Sequence, residues 1–253
     1  MPGPTEATVG GVPVFLGGPR QRAVLALLLM GRGQVVPVDR LVDVLWPDTP
    51  TRRALASLHP CLSHLRRVLE PGRPPRSASE LLVSLPPGYA VRLPVQAVDA
   101  WRFEAAVLEA RNAPPADAHR RLTEALGWWR GPAYQEWADQ EWAVTEVARL
   151  GELRSVAGES AVASGLRAGL PAEVLPAAAE LVHTDPLREE GWRLLALAQW
   201  DLRIRTRAAG PDPSATAAGT SALAVAAGLA LVHPNPLGEA RMADQAMAAL
   251  RIG

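Results

Sequence analysis

The sequence predicts a mainly α-helical protein in two parts, a mixed α+β N-terminal part and an all-helical remainder. Three observations carry this. Short β-prone runs and a Pro/Gly turn are confined to residues 12–93. After Pro94 the chain becomes a series of stretches with helical periodicity, several separated by proline-centred breaks. The charge balance reverses at the same place. Residues 1–94 carry 11 arginines against six acidic residues, whereas residues 95–253 carry 15 against 20. A basic N-terminal part joined to an acidic one is the asymmetry expected of a nucleic-acid binder with an attached partner domain.

The first part opens on Val12-Pro13-Val14-Phe15-Leu16, a short strand closed by Gly17-Gly18, and only a Pro/Gly-rich tail precedes it. Arg20 to Met30 is a compact apolar helix. Gln34-Val35-Val36-Pro37-Val38 is β-branched and short, which predicts a small strand. Asp39 is placed to cap a helix with Leu41, Val44 and Leu45 on one side, anchored by Trp46 and stopped by Pro47. Leu58, Leu62, Leu65 and Leu69 recur at i, i+4, i+7 and i+11, which makes one buried helical stripe. At ~100° per residue the opposite face carries Pro60, Ser63, His64 and Arg67, with Arg66 at its flank. Leu81 to Leu85 and Ala90 to Leu93 flank Pro86-Pro87-Gly88-Tyr89, the pattern of a β-hairpin.

In the second part helices are expected at about 98–112, 115–128, 140–168, 172–183, 187–207, 216–231 and 237–250. Ala208 to Gly219 reads as a flexible loop.

Composition narrows the function. All 26 basic residues are arginine, which with 24 prolines reads as coding bias rather than chemistry. The single Cys61 excludes an internal disulfide framework and fits a reducing cytoplasm. No signal peptide is expected, and the longest apolar stretch, Ala23 to Met30, is too short to span a bilayer.

An ordered set of phrases then points to a family. They are Gly17-Gly18-Pro19-Arg20-Gln21-Arg22, Val38-Asp39-Arg40-Leu41 through Leu45-Trp46-Pro47, Leu62-Ser63-His64-Leu65-Arg66-Arg67, Pro86-Pro87-Gly88-Tyr89, Trp129-Arg130-Gly131-Pro132-Ala133 and the turn Asp185-Pro186-Leu187-Arg188-Glu189. In this order the chain resembles the Streptomyces antibiotic regulatory protein family over about residues 12–200, and more loosely beyond.

The resemblance implies an N-terminal winged helix-turn-helix over residues 1–94, with its first strand truncated, and an all-α tetratricopeptide-like bacterial transcriptional activator domain over 95–253. It implies a cytoplasmic activator of a secondary-metabolite (antibiotic) gene cluster that binds double-stranded promoter repeats. The helical domain would serve homodimerisation or contact with RNA polymerase. Contacts to bases or phosphates are expected from Ser63, His64, Arg66 and Arg67, and to phosphates from Arg52 and Arg53. Arg73 and Arg76 add to the positive charge of that part.

Three positions depart from the family's pattern, all on the surface that would meet DNA. Pro60 lies inside the presumed recognition helix, so the helix either kinks there or starts later. His64 stands where arginine is usual, and Leu85 where the wing carries a basic residue. The losses motivate an alternative reading. The chain would be a diverged member that binds a small molecule or protein, or catalyses a biosynthetic step, through its tryptophan-rich helical part. Trp101, Trp128, Trp137, Trp192 and Trp200 are the candidate surface; core packing and domain contact are the more ordinary account of such residues.

No catalytic residues, cofactor or metal are expected. His59, Cys61 and His64 are spaced i, i+2, i+5, which scatters them around a helix. His119, His183 and His233 read as surface or capping residues. No phosphate loop, dinucleotide fingerprint or nucleophile elbow occurs.

Overall fold

The computed structural model describes residues 3–74 and 76–208. The helices expected at 216–231 and 237–250, the loop expected from Ala208 apart from that residue itself, and His233 lie outside them. The chain divides into two compact units. One runs to Asn112 and resumes over Arg121–Ala157. The other comprises Ala113–Arg120 and the chain from Gly158 onward.

The first unit opens with a strand where only a tail was expected. β1 (Ala7–Val9) pairs antiparallel with β2 (Val12–Val14), in the register Ala7↔Val14 and Val9↔Val12. Gly10 and Gly11 make the two-residue turn with φ of 58° and 81°. A tight hairpin of matching twist needs positive φ at both positions, and glycine supplies it without steric cost. A strand therefore precedes Val12, where only a tail was expected.

Pro19 starts α1 (Pro19–Met30), in which every residue from Ala23 to Leu29 is buried. A helix apolar all round belongs in the centre of a core. α2 (Val38–Leu45) buries Leu41, Val42 and Leu45. Its N-cap is Pro37, and no side chain caps it. Asp39 sits inside the first turn, where its charge suits the helix dipole; it is not the cap. Trp46 closes the helix, its N–H donating to the Val42 carbonyl at 2.8 Å.

α3 (Thr51–Leu69) runs unbroken through Pro60, so the helix does not start late. Ala54, Leu58, Cys61, Leu62 and Leu65 are buried, while the Pro60 ring lies on the exposed side. The donor missing at Pro60 thus costs a bond at the solvent face. Pro60→Ala restores that donor and removes a ring clash, so it is expected to raise stability by up to ~3 kcal/mol. Chemical denaturation of the two proteins measures this directly.

β4 (Leu82–Leu85) and β5 (Gly88–Val91) form the expected hairpin, and β3 (Val36–Pro37) adds to it in the order β3-β5-β4. One core joins α1, α2, α3 and this sheet. It continues through Val98, Ala100, Tyr134 and Leu150 of the next segment. Helix-turn-helix plus hairpin make a winged helix, and the described chain beyond it is helical apart from short 3-10 turns.

α4 (Asp99–Ala110), α5 (Pro115–Leu126), α6 (Glu141–Arg167), α7 (Pro171–Thr184) and α8 (Glu189–Ala208) fall close to the predicted bounds. In the second unit α7 packs on α8 around Val162, Val174, Ala178, Leu194 and Ala198, the helix-pair packing of a tetratricopeptide-like domain. His119 is not a surface residue there. It is 9% exposed, with Nδ1 2.9 Å from the Ala161 carbonyl and Nε2 3.4 Å from Glu173. It ties α5 to α6 because its position lies on the packed face of α5. His183 is exposed in the last turn of α7, as expected.

Candidate nucleic-acid interface

The outer face of α3 is the candidate surface. Ala56, Pro60, Ser63 and Arg67 are exposed and lie along one line of the helix. Small side chains in its middle let the helix backbone approach another surface closely. Arg52 and Arg53 are exposed at the first turn and make no ion pair among the described residues. With Arg67 they put positive charge at both ends of the face. At 1.5 Å rise per residue these charges are ~20 Å apart.

The six predicted contact residues divide into two groups. Arg52, Arg53, Ser63 and Arg67 face outward. Arg66 does not. Its Nε donates to the Leu82 carbonyl at 2.9 Å, and its Nη2 to the Ser84 hydroxyl at 2.8 Å. Its guanidinium also lies 5.7 Å from the Tyr89 ring centre. Arg66 therefore fastens the hairpin to α3, because the hairpin covers the flank of the helix from which it projects.

His64 is half-buried, and its Nε2 is enclosed with no hydrogen-bond partner among the described residues. Its Nδ1 is 3.2 Å from Arg67 Nη2. A guanidinium has only donors, so Nδ1 accepts. His64 thus steers Arg67.

Around the hairpin, Leu85 is half-buried. Arg73 is turned inward, donating to the Ser77 carbonyl at 2.5 Å, whereas Arg76 is exposed. Glu70 at the end of α3 gathers the loop to β4. It accepts from Ser79, from the Glu80 N–H at 2.8 Å and from the Leu81 N–H at 3.1 Å. Burial pushes its carboxyl up, but these hydrogen bonds outweigh burial and hold it below its ordinary value.

Arg66→Ala is expected to lower stability by about 1–2 kcal/mol, since two hydrogen bonds from a partly exposed cation are lost. Arg66→Lys recovers little of it, because a point ammonium cannot make the forked contact. Thermal melting of both variants reads the difference.

Sequence reasoning missed a set of acidic residues that fix the winged helix against the segment after it. Arg32, in the turn after α1, makes a paired contact with Glu104 of α4. Arg149 of α6 reaches the same carboxylate, and it also bonds Glu146 at 2.7 and 2.8 Å. Glu136 accepts from the Thr5 N–H at 2.9 Å and from Arg22 at 2.7 Å, tying down the residues before β1. Apart from the Arg149–Glu146 pair within α6, no residue spacing announces these contacts, since the partners lie 45 to 131 positions apart.

Burial raises the Glu104 and Glu136 carboxyls. The hydrogen bonds from Arg32 and Arg149, and from Thr5 and Arg22, outweigh it and hold both below the ordinary value. A depressed folded value contributes stability above the unfolded carboxylate pKa of ~4.3 and loses it as pH falls through the folded value. Melting temperature should therefore fall steeply below about pH 4.3. The Glu104→Gln, Glu136→Gln double variant, melted at the same pH values, should show a shallower fall.

The candidate tryptophans of the first unit have different surroundings, and Trp192 and Trp200 belong to the second unit. Trp101 lines a cavity with Leu93 and Leu108, and Trp137 lines a different one with Trp142. Trp128 lies 3.7 Å under Arg102. Trp192 donates to the Pro186 carbonyl at 3.0 Å, and Trp200 is exposed on α8. Cys61 is buried, and burial pushes its thiol up, with Arg20 opposing weakly. His59 is exposed, so the His59, Cys61 and His64 side chains sit in three different environments. No helix of the described residues is long and apolar enough to cross a membrane.

Residues 98–210 match the bacterial transcriptional activator domain. The chain is 34% identical over 203 residues to the transcriptional regulatory protein EmbR of Mycobacterium tuberculosis, covering 78% of this chain and 52% of EmbR. It is 36% identical over 201 residues to the regulatory protein AfsR of Streptomyces coelicolor, covering 78% of this chain and 19% of AfsR. The chain is thus similar to transcriptional regulators of the Streptomyces antibiotic regulatory protein type. A solved structure of this type, Mycobacterium tuberculosis EmbR in complex with a low-affinity phosphopeptide, superposes with a TM-score of 0.73 at 33% identity. That match covers 83% of this chain and 56% of the other. The chain thus spans about half the length of EmbR, and about a fifth of AfsR.

Proposed function

We propose that the chain is a DNA-binding transcriptional regulator that activates a secondary-metabolite gene cluster in the cytoplasm. The observation that carries this reading is the outer face of α3: small side chains along its middle, arginines without ion pairs at one end and His64-steered Arg67 at the other. A helix of that profile fits the major groove, with its end charges on flanking phosphates. Residues 1–94 act as the DNA-binding domain and residues 95–253 as the activator domain, for self-association or contact with RNA polymerase.

In this reading Ser63 and Arg67 contact bases or the adjoining phosphates, and Arg52 and Arg53 hold phosphate. Arg66 and His64 position the hairpin and Arg67. Pro60 widens the approach of the helix rather than breaking it, since α3 continues through it. The departures at His64 and Leu85 shift sequence preference and lower the number of phosphate contacts.

An anisotropy titration against promoters of the chain's own gene cluster, with random competitor DNA, tests the reading. Retention in the presence of competitor supports it; binding that vanishes with modest salt for every sequence counts against it.

A further inference from the structure

A second cavity, open to solvent on one side, lies away from the α3 face. Its volume is about 270 Å³, and it is bounded by the start of α1, the end of α2 and the turn before α6. Trp137 and Trp142 supply flat aromatic walls, with ring centres 5.8 Å apart and planes 39° apart. Pro47 and Leu45 extend the apolar lining. Among the described residues Arg20 is the only charged one lining it, and Gln140 contributes an amide.

Two details set this space apart from ordinary packing. The indole Nε1 of Trp137 is buried and has no acceptor among the described residues. Such an orphan donor is unusual in a folded protein, and with almost no accessible surface it lies behind the cavity wall rather than in the open space. Arg20 makes no ion pair among the described residues; its guanidinium rests 5.2 Å from the Trp46 ring centre. Two donor-bearing side chains, one of them a permanent cation, thus line one cavity whose remaining walls are aromatic or aliphatic.

We infer that this cavity binds a planar aromatic carboxylate. The carboxylate is matched by the Arg20 guanidinium and the Gln140 amide, and the ring by the indole faces. The volume sits just under the ~300–1,000 Å³ range of small-molecule sites, which limits the occupant to one or two fused rings. Leu45 and Pro47 flank Trp46, where α2 ends and the chain turns toward Thr51, so the occupant would touch the turn that leads into α3. The inference does not rest on the DNA reading, since binding is measured on the protein alone.

The test is calorimetric titration of the full chain with indole-3-acetate and, separately, its neutral isostere indole-3-acetamide. Saturable binding of the carboxylate is expected, at least tenfold tighter than the amide. Arg20→Gln and Gln140→Ala, both at exposed positions and checked by thermal melting for unchanged folding, are expected to weaken the carboxylate at least tenfold and threefold. No saturable binding at millimolar ligand would overturn the inference. So would equal affinity for acid and amide, or full affinity in folded Arg20→Gln.

Discussion

Replacing Arg52, Arg53 and Arg67 together by alanine is expected to cut promoter affinity by about two orders of magnitude at ~0.15 M salt. Each neutralised phosphate contributes ~0.9 to the slope of log affinity against log salt, so removing the two phosphate-holding arginines should flatten that slope by about 1.8. The fold should be unaffected, because all three side chains are exposed. Arg67→Ala alone should also relax sequence preference, whereas Arg52→Ala and Arg53→Ala should weaken all sequences alike. Titrations at four salt concentrations separate these outcomes. An unchanged slope in the triple variant would rule out the α3 face as the DNA-binding surface.

The second large effect is structural. Gly88→Ala places a methyl 1.9 Å from the Val36 carbonyl oxygen and 2.8 Å from the Pro37 Cα. Both are backbone atoms of β3, which cannot swing aside as a side chain would. β3 must separate from β5, losing the pairs Val36↔Tyr89 and Pro37↔Gly88. A loss above ~3 kcal/mol is expected, a large fraction of the 5–15 kcal/mol typical of a domain. Urea denaturation reads it. The hairpin that Arg66 fastens would lose its footing on the same side, so DNA affinity should fall with stability. Gly88→Ala with wild-type stability would contradict the close approach of β5 to β3.

Much of this fold was legible from local pattern. The stripe through Leu58, Leu62 and Leu65 is buried as its spacing demands. The Pro/Gly turn between Leu85 and Tyr89 does close a hairpin. Proline positions marked the starts of α5 and α7 within a residue. β1 escaped notice because three residues of strand carry little periodicity, and its Gly10-Gly11 turn lies in a segment rich in glycine and proline. Asp39 looked like a cap by residue type, but the chain enters α2 from Pro37 in an extended conformation, which puts Asp39 inside the first turn rather than ahead of it.

The candidate site was legible in outline and not in its division of labour. Residue type and helical face pick out Ser63, His64, Arg66 and Arg67 equally. What separates Arg66 is the hairpin arriving 16 to 18 residues later to accept its hydrogen bonds. His64 became a steering residue for the same kind of reason, because its ring is enclosed while its Nδ1 meets the guanidinium one turn on. The ion pairs at Glu104 and Glu136, and the burial of His119, belong to long-range packing that no single-chain periodicity encodes. The tryptophans were countable in the sequence, but only the fold distributes them over separate environments.

Whether the α3 face reads promoter DNA is tested most directly by fluorescence anisotropy. A labelled promoter fragment of the chain's own gene cluster is titrated at ~0.15 M salt with excess random competitor. Retained binding is expected for the native chain, with a loss of about a hundredfold for the Arg52, Arg53, Arg67 triple variant and a linear decline of log affinity with log salt. Equal affinity for promoter and random DNA, or an unchanged triple variant, would contradict a promoter-reading α3 face.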